Sequence, residues 1–184
     1  MSTVVRETQE TRVRVVLARG DGMARVDTGL KFLDHMLATL ARYAGWALSL
    51  EARGDLMHHV MEDVAITLGA AVRQVIPATA ARYGERTVPM DDALVQACLD
   101  AGGRFFYRGP LKSPLYEHWM RSFSEHAGLT LHLRVLRGTD RHHVTEAAFK
   151  ALGLALRDAM VDSGAVFSLK GSVVMEVSEC SRGD

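Results

Sequence analysis

Gly54-Asp55-Leu56-Met57-His58-His59-Val60-Met61-Glu62 is met again as Gly138-Thr139-Asp140-Arg141-His142-His143-Val144-Thr145-Glu146. Each copy puts His-His-x-x-Glu at the start of a run whose apolar residues recur with helical spacing. His58 and His142 stand 84 positions apart, as do Glu62 and Glu146, while His35 and His118 stand 83 apart. Ala44-Gly45 and Ala127-Gly128 keep that same offset of 83. One match would be a modest hint. Two in matched surroundings imply an internal duplication, and the duplication decides the fold.

Working outward, each half reads ββαβα. In the first half, Arg12 to Leu17 alternates as a strand does, Gly20-Asp21-Gly22 turns, and Ala24 to Asp27 reads as the return strand. A helix capped by Thr28 follows from Leu30 to Ala44, ended by Gly45; then come a strand, Trp46 to Ala52, and a helix, His58 to Ile76. Residues 78–90 read as a connector. The second half repeats the order: strands Ala93 to Leu99 and Arg104 to Tyr107, a helix Leu115 to Glu125, a strand Leu129 to Leu136, and a helix Val144 to Met160. Ser172 to Val177 reads as a final strand. The expected architecture is α/β, more closely an α+β two-layer sandwich. It forms one functional domain of two repeats, about 1–90 and 91–184, related by a pseudo-twofold.

Composition narrows the class. The 184 residues carry 22 basic and 22 acidic side chains, so bulk charge gives no case for a nucleic-acid or membrane surface. Neither a signal peptide nor an apolar run of bilayer length is read in the sequence. Cys98 and Cys180, far apart, argue for a reducing compartment rather than a disulfide. The expectation is a soluble cytoplasmic protein, with little net charge to oppose self-association.

Residues four apart on a helix share a face, so His58 and Glu62 can grip one ion, and so can His142 and Glu146. The adjacent His59 and His143 turn about 100° aside and are free for another ion. His35 and His118, on the shorter helices, complete a tally of six histidines and two glutamates. The expected grouping is His35, His58, Glu62 and His143 for one ion, and His118, His142, Glu146 and His59 for the other. Each set borrows a ligand from the other repeat or from another subunit. Mixed imidazole and carboxylate donors suit Mn, Fe or Zn, with open positions for catalysis. His126 and His132 lack partners in the other repeat and are read as structural.

Over nearly its whole length the chain resembles the imidazoleglycerol-phosphate dehydratase family of histidine biosynthesis. The resemblance rests on Arg6-x-Thr8-x-Glu10-Thr11, Thr28-Gly29-Leu30-x-Phe32-Leu33-Asp34-His35-Met36-Leu37 and His58-His59-x-x-Glu62-Asp63. It continues in Arg82-Tyr83-Gly84, Pro89-Met90-Asp91-x-Ala93-Leu94, Gly103-Arg104, Glu117-His118 and Leu131-His132. Its last parts are His142-His143-x-x-Glu146-Ala147-x-Phe149-Lys150-Ala151 and Ser168-x-Lys170-Gly171. The resemblance implies a duplicated unit of the ribosomal protein S5 domain 2 type. It implies a carbon–oxygen lyase, a dimanganese hydro-lyase acting on D-erythro-imidazole-glycerol phosphate, and a trimer-based octahedral cage with sites between subunits. Zn2+ or Fe2+ are the alternative ions. The resemblance nominates Glu10 as the proton-shuttling carboxylate and Arg82, Arg104, Lys150, Ser168 and Lys170 as phosphate ligands. Three positions depart from the family pattern: Leu56-Met57 replaces a longer polar run, Tyr43 replaces a histidine, and Thr139-Asp140-Arg141 lacks an asparagine. A dimetal lyase on another phosphorylated substrate, or a non-catalytic metal-assembled protein, are the other readings the sequence leaves open.

Overall fold

The computed structural model describes residues 1–166. The order is β1 (Ser2–Glu7), β2 (Thr11–Arg19), β3 (Ala24–Asp27), α1 (Lys31–Ala44), β4 (Trp46–Gly54) and α2 (Met57–Val75). It then repeats as β5 (Tyr83–Met90), β6 (Ala93–Asp100), β7 (Phe106–Arg108), α3 (Pro114–Ala127), β8 (Thr130–Arg137) and α4 (Arg141–Ala159). The duplication expected from the sequence is present, with one strand more per half than ββαβα. The strand expected at Ser172 to Val177 lies outside the described residues.

The two sheets have the orders β1-β2-β4-β3 and β5-β6-β8-β7. β5 therefore belongs to the second half, and the boundary falls before Tyr83 rather than after Met90. Most of the expected connector, residues 78–90, is instead this edge strand, where Pro89 removes no ladder hydrogen bond. A second correction concerns β3 and β7. Neither returns along the strand before it: β3 pairs parallel to β4 and β7 parallel to β8. The helix between each pair serves as the crossover that a parallel connection requires.

β2, β4 and β6 alternate buried with more exposed residues, so each sheet has one covered face. On that face α2 rests against β1 and β2, and α4 against β5 and β6. The helices of the two halves also meet crosswise, α1 on α4 and α2 on α3. All four helices thus lie between the sheets around one core that contains Trp46, Trp119, Phe123 and Phe149. Trp119 and Phe123 stack with ring centroids 5.1 Å apart. Full burial of each such side chain contributes roughly 1.5–3 kcal/mol.

Gly69 in α2 and Gly153 in α4 sit at the crossings, and these two also stand 84 positions apart. A Cβ on Gly69 would lie 2.6 Å from the Phe123 carbonyl oxygen, and one on Gly153 2.8 Å from Tyr43 Cβ. Only glycine allows this approach, and the approach sets which helix N-termini are neighbours. Thr28 does not cap α1 directly, because the helix starts at Lys31 with Leu30 as N-cap. Instead the Thr28 hydroxyl donates to Asp34 Oδ1 at 2.6 Å, tying the incoming turn to the first helical turn.

Candidate metal centre

All eight proposed ligands lie within the first six residues of the four helices. Which of them meet follows from the helix pairing. His35 Nε2 lies 3.5 Å and His142 Nε2 3.4 Å from Glu146 Oε2. His118 Nε2 lies 3.4 Å from Glu62 Oε1. The expected placement of His35 with Glu62 and of His118 with Glu146 is therefore corrected. The short helix of each half packs on the long helix of the other, so its histidine serves the other half's glutamate.

The spacings suit a shared ion. Two ligand atoms of one four-coordinate ion, with bonds of roughly 2.0–2.2 Å, stand roughly 3.3–3.6 Å apart. The donor types, imidazole nitrogen and carboxylate oxygen, are ones that Mn, Fe or Zn accept. Among the described residues, no three His, Cys, Asp or Glu side chains close into a complete cage. His35 and His142 do both face the same oxygen, Glu146 Oε2.

The second histidine of each pair is held apart from these groups, as its angle on the helix requires. His59 Nδ1 lies 2.8 Å from Asp55 Oδ1 and 3.5 Å from Glu10 Oε2. His143 Nδ1 lies 2.8 Å from Asp92 Oδ1, and its Nε2 lies 3.3 Å from Asp91 Oδ2. The hydrogen bond with Asp55, then the charge of Glu10, raises the His59 pKa above its ordinary value. Asp92 does the same for His143. Asp92 itself titrates far below the usual carboxylate range because it accepts from Thr139 N–H and His143. Such carboxylates orient an imidazole and set which nitrogen is offered outward.

Asp55, Asp91 and Asp92 were not anticipated as site residues. A signal existed: Glu10 lies in the turn joining β1 to β2, and Asp91-Asp92 is the turn joining β5 to β6. Each half thus closes its first hairpin with a carboxylate facing its second histidine. The Glu10 turn is pinned from beneath by Asp63, which is 8% exposed. Asp63 accepts from Arg6 Nε at 2.8 Å and from the Thr11 hydroxyl. Asp91 holds a positive φ of 46°, a strained conformation that the tight turn requires.

The nominated phosphate ligands are scattered. Lys150 turns its ammonium to Glu146 Oε1 at 2.8 Å, inside the donor cluster. Arg82 forms a two-pronged pair with Asp100, at 3.1 and 2.8 Å, and its backbone N–H donates to the Ala159 carbonyl at the far end of α4. Arg104 is exposed in the loop between β6 and β7. Ser168 and Lys170 lie outside the described residues, as does Cys180. His126 Nδ1 bonds to the Ser122 carbonyl and His132 packs on Phe106, the structural roles read for them.

A sequence model of the family described as imidazoleglycerol-phosphate dehydratase matches residues 28–156. The chain belongs to the imidazoleglycerol-phosphate dehydratase family. It is 44% identical to the dehydratase of Salinibacter ruber, with 94% of this chain and 95% of that one covered. It is 42% identical to the dehydratase of Archaeoglobus fulgidus, covering 89% and 94%. Among solved structures it is similar to the Pyrococcus furiosus member of the family, with a TM-score of 0.81 and 35% identity over 92% of this chain and 99% of that one. The Staphylococcus aureus dehydratase gives a TM-score of 0.76 at 29% identity, over 88% and 100%. These likenesses run through both halves, and the duplicated fold is that of the family. No helix among the described residues is long and apolar enough to cross a membrane.

Proposed function

We propose that this chain is a metal-dependent dehydratase of D-erythro-imidazole-glycerol phosphate in cytoplasmic histidine biosynthesis, forming imidazole-acetol phosphate and water. Family membership over nearly the whole chain carries the reading. The metal part of it is supported by the crosswise meeting of His35 and His142 at Glu146 and of His118 at Glu62. His58, His59 and His143 complete the donor sets, some of them from neighbouring copies. Two divalent ions, manganese before Zn2+ or Fe2+, would supply Lewis-acid stabilisation of the negative charge that follows proton loss.

Glu10 takes the proton from the substrate carbon as general base. Its carboxylate, 3.5 Å from His59, is exposed and open to a substrate held at that imidazole. Arg82, Arg104, Ser168 and Lys170 hold the phosphate. Lys150 can join them only by sharing its ammonium with Glu146. About 25 Å of helix separates His142 from Ala159, the Arg82 anchor point. A small phosphorylated substrate does not span that length, so each site would lie between copies of the chain. A trimer-based octahedral cage provides such contacts.

A related lyase acting on another phosphorylated substrate is the second reading. One observation favours it: Leu56 and Met57, 49% and 58% exposed, stand beside His58 in place of the family's polar run. The deciding assay incubates manganese-loaded protein with imidazole-glycerol phosphate, with and without chelator, and measures imidazole-acetol phosphate. Chelator-sensitive product is expected, and Glu10→Gln should lose turnover while keeping metal content and assembly. Metal-loaded, assembled protein that forms no product would overturn the first reading.

A further inference from the structure

The two halves treat their ligand glutamates differently. Glu146 is buried, 9% exposed at its side chain, with Oε2 facing His35 and His142. Its Oε1 accepts from Lys150, one helical turn on, at 2.8 Å. That ammonium is held from two further sides, by Met90 sulfur at 3.2 Å and by the Tyr43 ring, whose centroid is 5.9 Å away. Glu62 is 45% exposed, and its ion-pair partner among the described residues is His118. Ile66, 84 positions before Lys150, occupies the matching place in α2.

We propose that Lys150 makes the two metal positions of this chain inequivalent, so that the ion at Glu146 is held more weakly than the ion at Glu62. This deepens the metal reading above and rests on it. The donor types match one for one: His35, His142 and Glu146 against His118, His58 and Glu62. Besides their exposure, the two carboxylates differ by a fixed unit of positive charge on one of them. An ammonium already bound to Oε1 offsets the charge that attracts a divalent cation to Oε2, and it repels the cation across the width of one carboxylate. Because Glu146 and Lys150 are both shielded from water, solvent screens this repulsion less than it would on the surface.

The test is a titration of the full-length, chelator-treated protein with Mn2+. Free ion is followed by electron paramagnetic resonance and bound ion by elemental analysis. Two classes of one ion per chain are expected, with dissociation constants at least about tenfold apart. Glu146→Gln should remove the weak class and Glu62→Gln the tight one. Lys150→Ile, which copies the first half, should tighten the weak class until the two nearly coincide. Ile66→Lys, which copies the second half, should weaken the tight class, and it decides the matter if Lys150→Ile does not fold. A single class of two equal ions overturns the proposal, as does an unchanged ratio in folded Lys150→Ile, while leaving the metal reading in place. Protein that binds no divalent ion overturns both.

Discussion

Replacing Gly153 with alanine tests whether the crossing of α1 and α4 is as tight as the geometry says. In an open helix, glycine to alanine stabilises by about 1 kcal/mol through backbone entropy. Here the new Cβ would stand 2.8 Å from Tyr43 Cβ, 3.0 Å from the Leu40 carbonyl oxygen and 3.2 Å from Ala44 N. Two of those atoms are backbone, so relief requires moving a whole helix. Overpacking of this kind costs about 1–3 kcal/mol. Gly69→Ala meets a carbonyl oxygen at 2.6 Å and the Ala127 nitrogen at 3.0 Å, a worse collision. After the propensity gain, we expect a net loss of about 1 kcal/mol at Gly153 and about 2 kcal/mol at Gly69. For a chain of this length, those losses lower the melting midpoint by roughly 2–8 °C. Spreading α1 from α4 also separates His35 from Glu146, so Gly153→Ala should lose divalent-ion affinity at Glu146 before it does at Glu62. The assays are thermal and urea unfolding of chelator-treated protein, followed by Mn2+ titration. A Gly153→Ala protein that melts higher than wild type and binds metal normally would refute the tight crossing.

The helix starts offer a reciprocal pair of variants. Asp140 caps α4 by accepting from the His142 and His143 N–H groups, so Asp140→Ala should lower the melting midpoint. Leu56, at the matching place before α2, makes no side-chain cap, and Leu56→Asp should add about 1 kcal/mol in urea unfolding. Asp63→Ala leaves Arg6 to be rehydrated and the buried Thr11 hydroxyl with only its longer 3.2 Å bond to the Thr8 hydroxyl, so losing the two charge-assisted bonds should lower stability by about 1–3 kcal/mol. By freeing the Glu10 turn, the same change should lower kcat more than it raises KM. Unchanged kcat in the folded variant would show that Asp63 does not position Glu10.

The helices and the candidate His and Glu cluster were legible because both are local patterns. Apolar spacing marks a helix without reference to the rest of the chain, and a repeated His-His-x-x-Glu needs only its own offset to be noticed. The edge strands were not. β1 mixes Val4 and Val5 with Arg6 and Glu7, and β5 contains Gly84 and Pro89; each pairs on one side only and has little need of apolar residues. The parallel placement of β3 and β7 was hidden for a different reason. A tight turn after a strand suggests a hairpin, and only the later arrival of β4 or β8 shows that the central place is taken. The swap of His35 and His118 between the glutamates depends on which helices cross, and no periodicity within one helix carries that information.

That swap changes what the duplication means for the site. If each short helix had packed on the long helix of its own half, each half would carry its own His-His-Glu group and could drift relative to the other without loss. With the crosswise pairing, the first histidine of each group is delivered across the boundary between halves, over contacts made at Gly69 and Gly153. The spacing of His35 from Glu146 and of His118 from Glu62 is then set by packing in the core rather than by loop length. The second histidines obey the opposite logic. His59 and His143 are tied to carboxylates of their own half, and three of those four groups, Glu10, Asp91 and Asp92, come from hairpin turns at the sheet edge. One imidazole of each pair is thus bound to the inter-half core, and the other to the outer turns. Core variants should therefore act first on Glu146 and Glu62, and turn variants on His59 and His143.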